Sequence, residues 1–362
     1  MEWIRRETIG HGSFSTVSLA TTSGSCSTPF PPLIAVKSSG AACSAALRNE
    51  RDVLDDLDHC PEIVRCFGEG TTVENGEEVY NLFLEYASGG NLRDWIKKSG
   101  EGLPEFEVRR FARSIARGLR HVHAKGYSHC DVKLENVLVF GGDGGDVVKI
   151  SDFGLAKRRG ETVAEIRGTP LYMAPESVNR GEFESPADVW GLGWCVVEMS
   201  SGETAWCLEE DGVTTNVMSL MVRIGYGDVP KFPVELSEEG KDFVRRCFVK
   251  DPVERWTAQM LLDHPFLAVD DDDERSSGSL RCGEEDEASV SVSPRDPFDF
   301  PDWNSVQSPV NDSISVNYSP FSYLVLRSPE ERMSGLVAEN VPDWSVSCDW
   351  VNVREVEGST VV

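Results

Sequence analysis

Apolar and β-branched positions recur with two different periods along this 362-residue chain. Up to about residue 90 they stand in short runs, Glu7 to Thr21, Leu33 to Lys37 and Val79 to Glu85, each bounded by Gly, Ser or Pro clusters, and this predicts strands. One helix interrupts them. Leu47, Glu50, Leu54 and Leu57 fall at steps of three, four and three, which puts Glu50 on the apolar stripe. An ionised carboxylate there needs a cation, and Lys37 at the end of the Ile34-Ala35-Val36 strand is available; the alternative is a helix rotated so that Glu50 reaches water. After Gly90 the signals become mainly helical, with Val108, Phe111, Ile115, Leu119 and Val122 marking an amphipathic helix over 105–125 that Gly126 stops. Val137-Leu138-Val139 and Val147-Val148-Lys149-Ile150, on either side of a Gly141 to Gly145 turn, predict a hairpin. The pattern is α+β, a small sheet lobe followed by a larger helical lobe, with no internal repeat.

Charge divides the chain again. From Ala268 to the end there are 20 acidic residues, six arginines and no lysine, a net of −14, whereas residues 1–267 carry a net of −12. The last quarter also holds Asp270 to Glu274, many serines and scattered prolines. That composition buries too little apolar surface to offset ordering entropy, so 268–362 reads as a largely disordered acidic tail. Phe298 to Trp303, Asp343-Trp344 and Asp349-Trp350 place aromatics among its acidic residues, which fits short docking segments; a solubilising tail is the other reading.

The acidic balance disfavours nucleic acid and anionic membrane surfaces and favours a basic protein partner. No signal-peptide core and no run approaching about 18 apolar residues is present, so an intracellular chain without membrane insertion is expected. Ten cysteines at irregular spacing, with no Cys-x-x-Cys pair, read as free thiols. His121 and His123 lie two apart on the 105–125 helix and face different ways, which argues against a shared zinc ion with His129 and Cys130.

Chemistry enters first at Ile9-Gly10-His11-Gly12-Ser13-Phe14-Ser15-Thr16-Val17. Gly10 and Gly12 let backbone N–H groups approach phosphate oxygens, and Val17 can close over an adenine ring. Alone this fits an ordinary hairpin. One loop later, Lys37 ends an apolar strand where it would hold nucleotide phosphates. The densest signal is His129-Cys130-Asp131-Val132-Lys133-Leu134-Glu135-Asn136, followed by Asp152-Phe153-Gly154 sixteen residues after Asn136. It combines a proton acceptor, a phosphate-binding ammonium and two metal-ligating side chains.

With these strings, and with Glu85-Tyr86-Ala87, Gly168 to Glu176, Asp188 to Gly193 and Asp251-Pro252 with Arg255 in the same order, the chain from about Trp3 to Leu267 resembles a eukaryotic protein kinase domain. The resemblance implies the two-lobed fold, N-lobe about 3–86 and C-lobe about 87–267, acting on ATP with Mg²⁺. Asp131 would orient the acceptor hydroxyl and accept its proton, Lys133 would neutralise the γ-phosphate, Lys37 held by Glu50 would grip the inner phosphates, and Asn136 and Asp152 would ligate the metal. Ile9, Gly10, Gly12, Val17, Ala35 and Leu138 would enclose the nucleotide. Glu85 C=O and Ala87 N–H would meet the adenine edge, with Leu84 as gatekeeper and Arg255 as partner of Glu176.

Lys133 and Thr169 resemble the serine/threonine branch. Thr169 would touch Asp131 and Lys133, and both Thr162 and Thr169 are activation-loop phosphorylation candidates, Thr162 the better switch. Cys130 stands where most such enzymes carry arginine, so weaker dependence on loop phosphorylation is expected. Trp3-Ile4, the His129-Cys130-Asp131 variant and the Gly168 to Glu176 string resemble plant MAP kinase kinase kinases of the MEKK-like group. This implies a MAP kinase kinase as substrate and a stress or hormone pathway with abscisic acid signalling as a setting; separately, residence in the cytoplasm is expected, with the nucleus as a second candidate compartment. A pseudokinase scaffold that binds cascade partners without catalysis is the alternative.

Overall fold

A computed structural model describes residues 2–12, 15–22, 30–141, 145–162, 166–204, 206, 217–229 and 236–268. The tail segments, Ser13 and Phe14 of the glycine turn, and 142–144 of the second hairpin lie outside the described residues.

The first lobe is an antiparallel sheet of β1 (Trp3–His11), β2 (Thr16–Thr22), β3 (Leu33–Gly40), β4 (Cys66–Glu74) and β5 (Glu77–Glu85) in the order β1-β2-β3-β5-β4. Side chains alternate across a strand, so β3 sends Ile34 and Val36 to one face, where they pack with Ala20 and Phe83, and Ala35 and Lys37 to the other. β4 was not expected from patterning. It is a polar edge strand with a register shift between Cys66 and Gly68, and most of its side chains stay partly or fully exposed, so no apolar alternation marks it. β1 also begins earlier than predicted, at Trp3, whose ring packs edge-on against Phe83 with centroids 5.5 Å apart.

Helix α1 (Ala45–Leu57) crosses behind the sheet, burying Leu47, Glu50, Val53, Leu54 and Leu57. The second lobe follows: α2 (Leu92–Ser99), α3 (Glu105–Ala124), the short pair β6 (Tyr127–Ser128) and β9 (Lys157–Arg158), the hairpin β7 (Val137–Phe140) with β8 (Val147–Ile150), then α4 (Pro175–Arg180), α5 (Ser185–Ser201), α6 (Val217–Tyr226), α7 (Glu238–Cys247) and α8 (Ala258–Leu262). α3 ends where the 3.6-residue pattern predicts, one residue before Lys125 and the positive-φ Gly126.

α5 is apolar on all sides and buried from Asp188 to Ser200. Trp190 and Trp194 are wholly enclosed and both pack on Phe248, each such side chain contributing roughly 1.5–3 kcal/mol by burial. This helix is the platform for the catalytic segment. Gly191 is required there, because a Cβ would meet the Val132 carbonyl at 2.7 Å.

Candidate active site

The cleft between the lobes is assembled from segments distant in sequence. Its roof is the β1-β2 hairpin, where Gly10 pairs with Val17, and Val17 pairs in turn with Lys37. Gly12 N–H closes the turn on the Ser15 carbonyl at 2.7 Å. Ile9 and Val17 from the roof and Leu138 from the floor pack against one core cluster that also contains Ala35 and Leu84.

Glu85 closes β5, and its side chain anchors the chain where it leaves the sheet toward Ala87. Lys149 Nζ on β8 donates to both Glu85 oxygens, at 2.6 and 2.7 Å, and also lies 4.7 Å from the Phe140 ring. Arg65 N–H donates to Glu85 Oε2 at 3.2 Å, while Glu85 N–H donates to the Arg65 carbonyl at 2.9 Å. Lys149 was not singled out from sequence. Only its place on a strand whose neighbours point into the core hinted that it had a partner.

Lys37 lies at the centre of the upper half. Its ammonium is 2.7 Å from Glu50 Oε2 and 2.9 Å from Asp152 Oδ1. Glu50 is 0% exposed, so the helix is not rotated outward, and the predicted pair exists. Burial works against the Lys37 ammonium, yet the carboxylates of Asp152 and Glu50 outweigh it and raise its pKa. Burial would likewise raise Asp152, but Lys37 prevails and brings it down to about 2. Lys37 and Asp152 are therefore held ionised at neutral pH, whereas burial raises the Glu50 carboxyl against the pull of Lys37.

Asp152 keeps 47% of its side chain accessible and takes a left-handed backbone conformation, φ 62°. A non-glycine residue there is strained, and such strain persists where neighbours over-determine it. Phe153 behind it is wholly buried, its ring 4.7 Å from that of His129, and its N–H donates to Glu50 Oε1 at 3.3 Å.

The lower half is the loop between β6 and β7. Asp188 on α5 anchors it, its two carboxylate oxygens accepting from His129 N–H at 2.8 Å and Cys130 N–H at 2.9 Å. Asn136 Nδ2 donates to the Asp131 carbonyl at 2.8 Å and to Asp131 Oδ2 at 2.9 Å. The Asn136 amide nitrogen is thereby committed, which leaves its oxygen for a metal. Oxygen donors from one carboxylate and one amide suit a hard divalent cation that takes its remaining ligands from phosphate and water. Lys133 Nζ lies 3.1 Å from Asp131 Oδ2 and donates to Thr169 Oγ1 at 2.6 Å.

His121, His123 and His129 have separate partners: the Leu57 carbonyl, Asp188 and the Ser151 carbonyl. Cys130 is partly buried, and burial, reinforced by Asp188, pushes its thiol well above the usual range. Thr162 is exposed, away from these contacts. Lys157 on β9 instead pairs with Glu184 at 2.6 Å, and the Gly160 N–H joins the same carboxylate oxygen at 3.2 Å. Arg255 reaches Glu176 through two bonds of 2.6 and 2.9 Å, both residues buried.

A sheet lobe and a helical lobe that bring a lysine–glutamate pair, an aspartate-bearing loop and an acceptor-side threonine to one cleft define a protein kinase. The protein kinase domain family matches residues 3–267, and the chain belongs to that family. It is a serine/threonine protein kinase, similar to plant MEKK-like MAP kinase kinase kinases. Mitogen-activated protein kinase kinase kinase 20 of Arabidopsis thaliana is 54% identical over 363 residues, covering 98% of this chain and 100% of that protein. Mitogen-activated protein kinase kinase kinases 18 and 17 of the same plant are each 38% identical, over 87% and 75% of this chain and 88% and 71% of their own lengths.

Proposed function

We propose that this kinase transfers the γ-phosphate of ATP to a serine or threonine of a MAP kinase kinase, with Mg²⁺ as its metal, in a plant stress or hormone cascade. The reading is carried by one observation: Asn136, Asp131, Lys133 and Thr169 are joined by ion pairs and hydrogen bonds of 2.6 to 3.1 Å, and the Ser151 N–H bond to the Asn136 carbonyl at 2.8 Å ties that group to the segment whose Asp152 lies 2.9 Å from Lys37. The names of the similar Arabidopsis proteins support the substrate class.

Asp131 orients the acceptor hydroxyl and takes its proton as the acceptor oxygen bonds to the γ-phosphorus and the bond to the leaving ADP oxygen breaks. Lys133 sits beside Asp131 and stabilises the charge that spreads over the transferring phosphoryl oxygens. Lys37, fixed by Glu50, orients the α- and β-phosphates. Glu85 C=O and Ala87 N–H bind the adenine edge. Mg²⁺, when bound, neutralises phosphate charge; Asn136 and Asp152 would hold it. The acidic aromatic segments of the tail dock the protein substrate, abscisic acid signalling is the pathway, and the enzyme works in cytoplasm and nucleus.

Radiolabelled ATP and a panel of purified MAP kinase kinases, with wild type beside Lys37→Met, test this. Transfer to at least one panel member, lost in the variant, is expected. Equal silence from both with every member would favour the scaffold alternative. Removing 268–362 should leave activity on a generic basic protein and weaken engagement of the true substrate.

A further inference from the structure

Asn49 lies on α1 directly ahead of Glu50, half-buried, and takes no part in the chemistry above. Its Nδ2 faces three backbone carbonyls: Phe153 at 3.3 Å, Gly154 at 3.1 Å and Ala156 at 2.9 Å. All three belong to the backbone that continues from Asp152. From the other side, Arg167 donates through one guanidinium nitrogen to the Leu155 carbonyl at 2.9 Å and the Ala156 carbonyl at 3.4 Å. The Ala156 carbonyl therefore receives one donor from the small-lobe helix and one from the stretch leading to Thr169.

This segment needs such support. It lies between β8 and the two-residue β9 with no regular ladder of its own, and it begins at a residue strained at φ 62°. Glu50 reaches it through a single backbone bond, to Phe153 N–H at 3.3 Å. Carbonyl oxygens facing one another are repelled unless a donor sits among them, and an amide NH₂ supplies two hydrogens for that purpose.

We propose that Asn49 is a positioning residue that clasps the 153–156 backbone to α1, so that the Asp152 carboxylate stays beside Lys37 and the metal-bearing loop moves with the helix that carries Glu50. The inference rests on the reading of Asp152 as a metal ligand. Asn49 touches no reacting atom; it acts through Asp152. Because the clasp is built from uncharged carbonyls and side chains already in the chain, it supplies order that a phosphate on the loop would otherwise bring.

The test compares full-length wild type, Asn49→Ala, Asn49→Ser and Asn49→Asp. Asn49→Asp keeps the shape but turns a carboxylate toward the carbonyls. In nucleotide-free protein, hydrogen–deuterium exchange of peptides covering 153–160 should accelerate about tenfold in Asn49→Ala, while α5 peptides keep wild-type protection. The magnesium concentration for half-maximal transfer should rise several-fold and kcat should fall about tenfold, with KM for the protein acceptor within about twofold of wild type. Asn49→Asp should be worse than Asn49→Ala; should it not fold, Asn49→Ser and Asn49→Ala carry the comparison. Wild-type exchange in Asn49→Ala would overturn the clasp. Faster exchange with an unaltered magnesium requirement would reduce Asn49 to a structural contact and overturn the positioning role. A wild-type protein silent on all acceptors would instead sink the catalytic reading, with the exchange result still deciding whether the clasp exists.

Discussion

Thr169 gives Asp131 two hydrogen bonds on the same oxygen: its N–H and its hydroxyl each donate to Asp131 Oδ1 at 2.8 Å. The hydroxyl also accepts from Lys133. One side chain thus sets the direction of both the proton acceptor and the phosphate-binding ammonium. Thr169→Ala should lower kcat by roughly 10- to 100-fold, the range of about 1.5–3 kcal/mol for a hydrogen bond to a charged group. Thr169→Ser should recover most of it. Steady-state kinetics on a protein acceptor decides; an alanine variant with wild-type kcat would remove Thr169 from the machinery.

The Lys37–Asp152 pair predicts a flat pH response, in contrast to Glu50, whose carboxyl burial raises. Asp152 is depressed from 3.8 to about 2, so its favourable pairing is fully present above about pH 4 and is lost only as pH falls through the depressed value. Lys37 is raised from 10.5, so its pairing is complete below that value and is lost only as pH rises beyond it. Affinity for magnesium-free ADP should therefore vary little between about pH 5 and about pH 9 on account of these groups. Calorimetry across that window would show a break near neutrality if Lys37 were instead deprotonated there.

Loop phosphorylation should matter little. Cys130 cannot pair with a phosphate, whereas Lys157 and Glu184 already tie β9 to the start of α5. Phosphatase-treated enzyme and Thr162→Ala should keep most of the wild-type rate, and Lys157→Met should lose more than either. Complete inactivation by phosphatase, reversed only by rephosphorylating Thr162, would contradict this.

The Arg255–Glu176 pair is a stability element. Removing one partner strands a buried charge, at about 3–5 kcal/mol. Arg255→Ala should therefore melt on the order of 10 °C lower, and Arg255→Lys should also be impaired, because an ammonium lacks the planar guanidinium fork that holds Glu176 through two nitrogens and also donates to the Val249 and Pro186 carbonyls. A melt within about 2 °C of wild type would show that the site relaxes around the loss.

Thiol reactivity should separate Cys43 from Cys130. Cys43 is exposed, while the Cys130 thiol is held protonated by burial and by Asp188. Brief iodoacetamide treatment at neutral pH, mapped by mass spectrometry, should label Cys43 well before Cys130. Faster labelling at Cys130 would contradict its being the shielded, protonated thiol.

Much of the site was legible because the chemistry constrains residue type and spacing together. The step pattern of α1 placed Glu50 inward, and a buried carboxylate demands a cation, which identified Lys37. The strings around Asp131 and Asp152 carry their roles in short, fixed intervals. Lys149, Asn49 and Lys157 were not legible, since each acts through a carbonyl or carboxylate far away in sequence and looks like an ordinary polar residue locally. β4 escaped for a related reason: its stabilisation is backbone pairing with β5, which leaves no apolar alternation to read.

Local order was written into the chain directly. Periodicity defined α1, α3 and the β7-β8 hairpin, and short motifs defined the catalytic residue types, because both depend on neighbours within a few positions. Tertiary structure alone decided how Asp188 under the loop, Lys149 behind Glu85, and Asn49 against the Phe153 to Ala156 backbone are used. Those contacts span 59, 64 and at least 104 residues, and a hydrogen bond across such distances exists only once both lobes are packed.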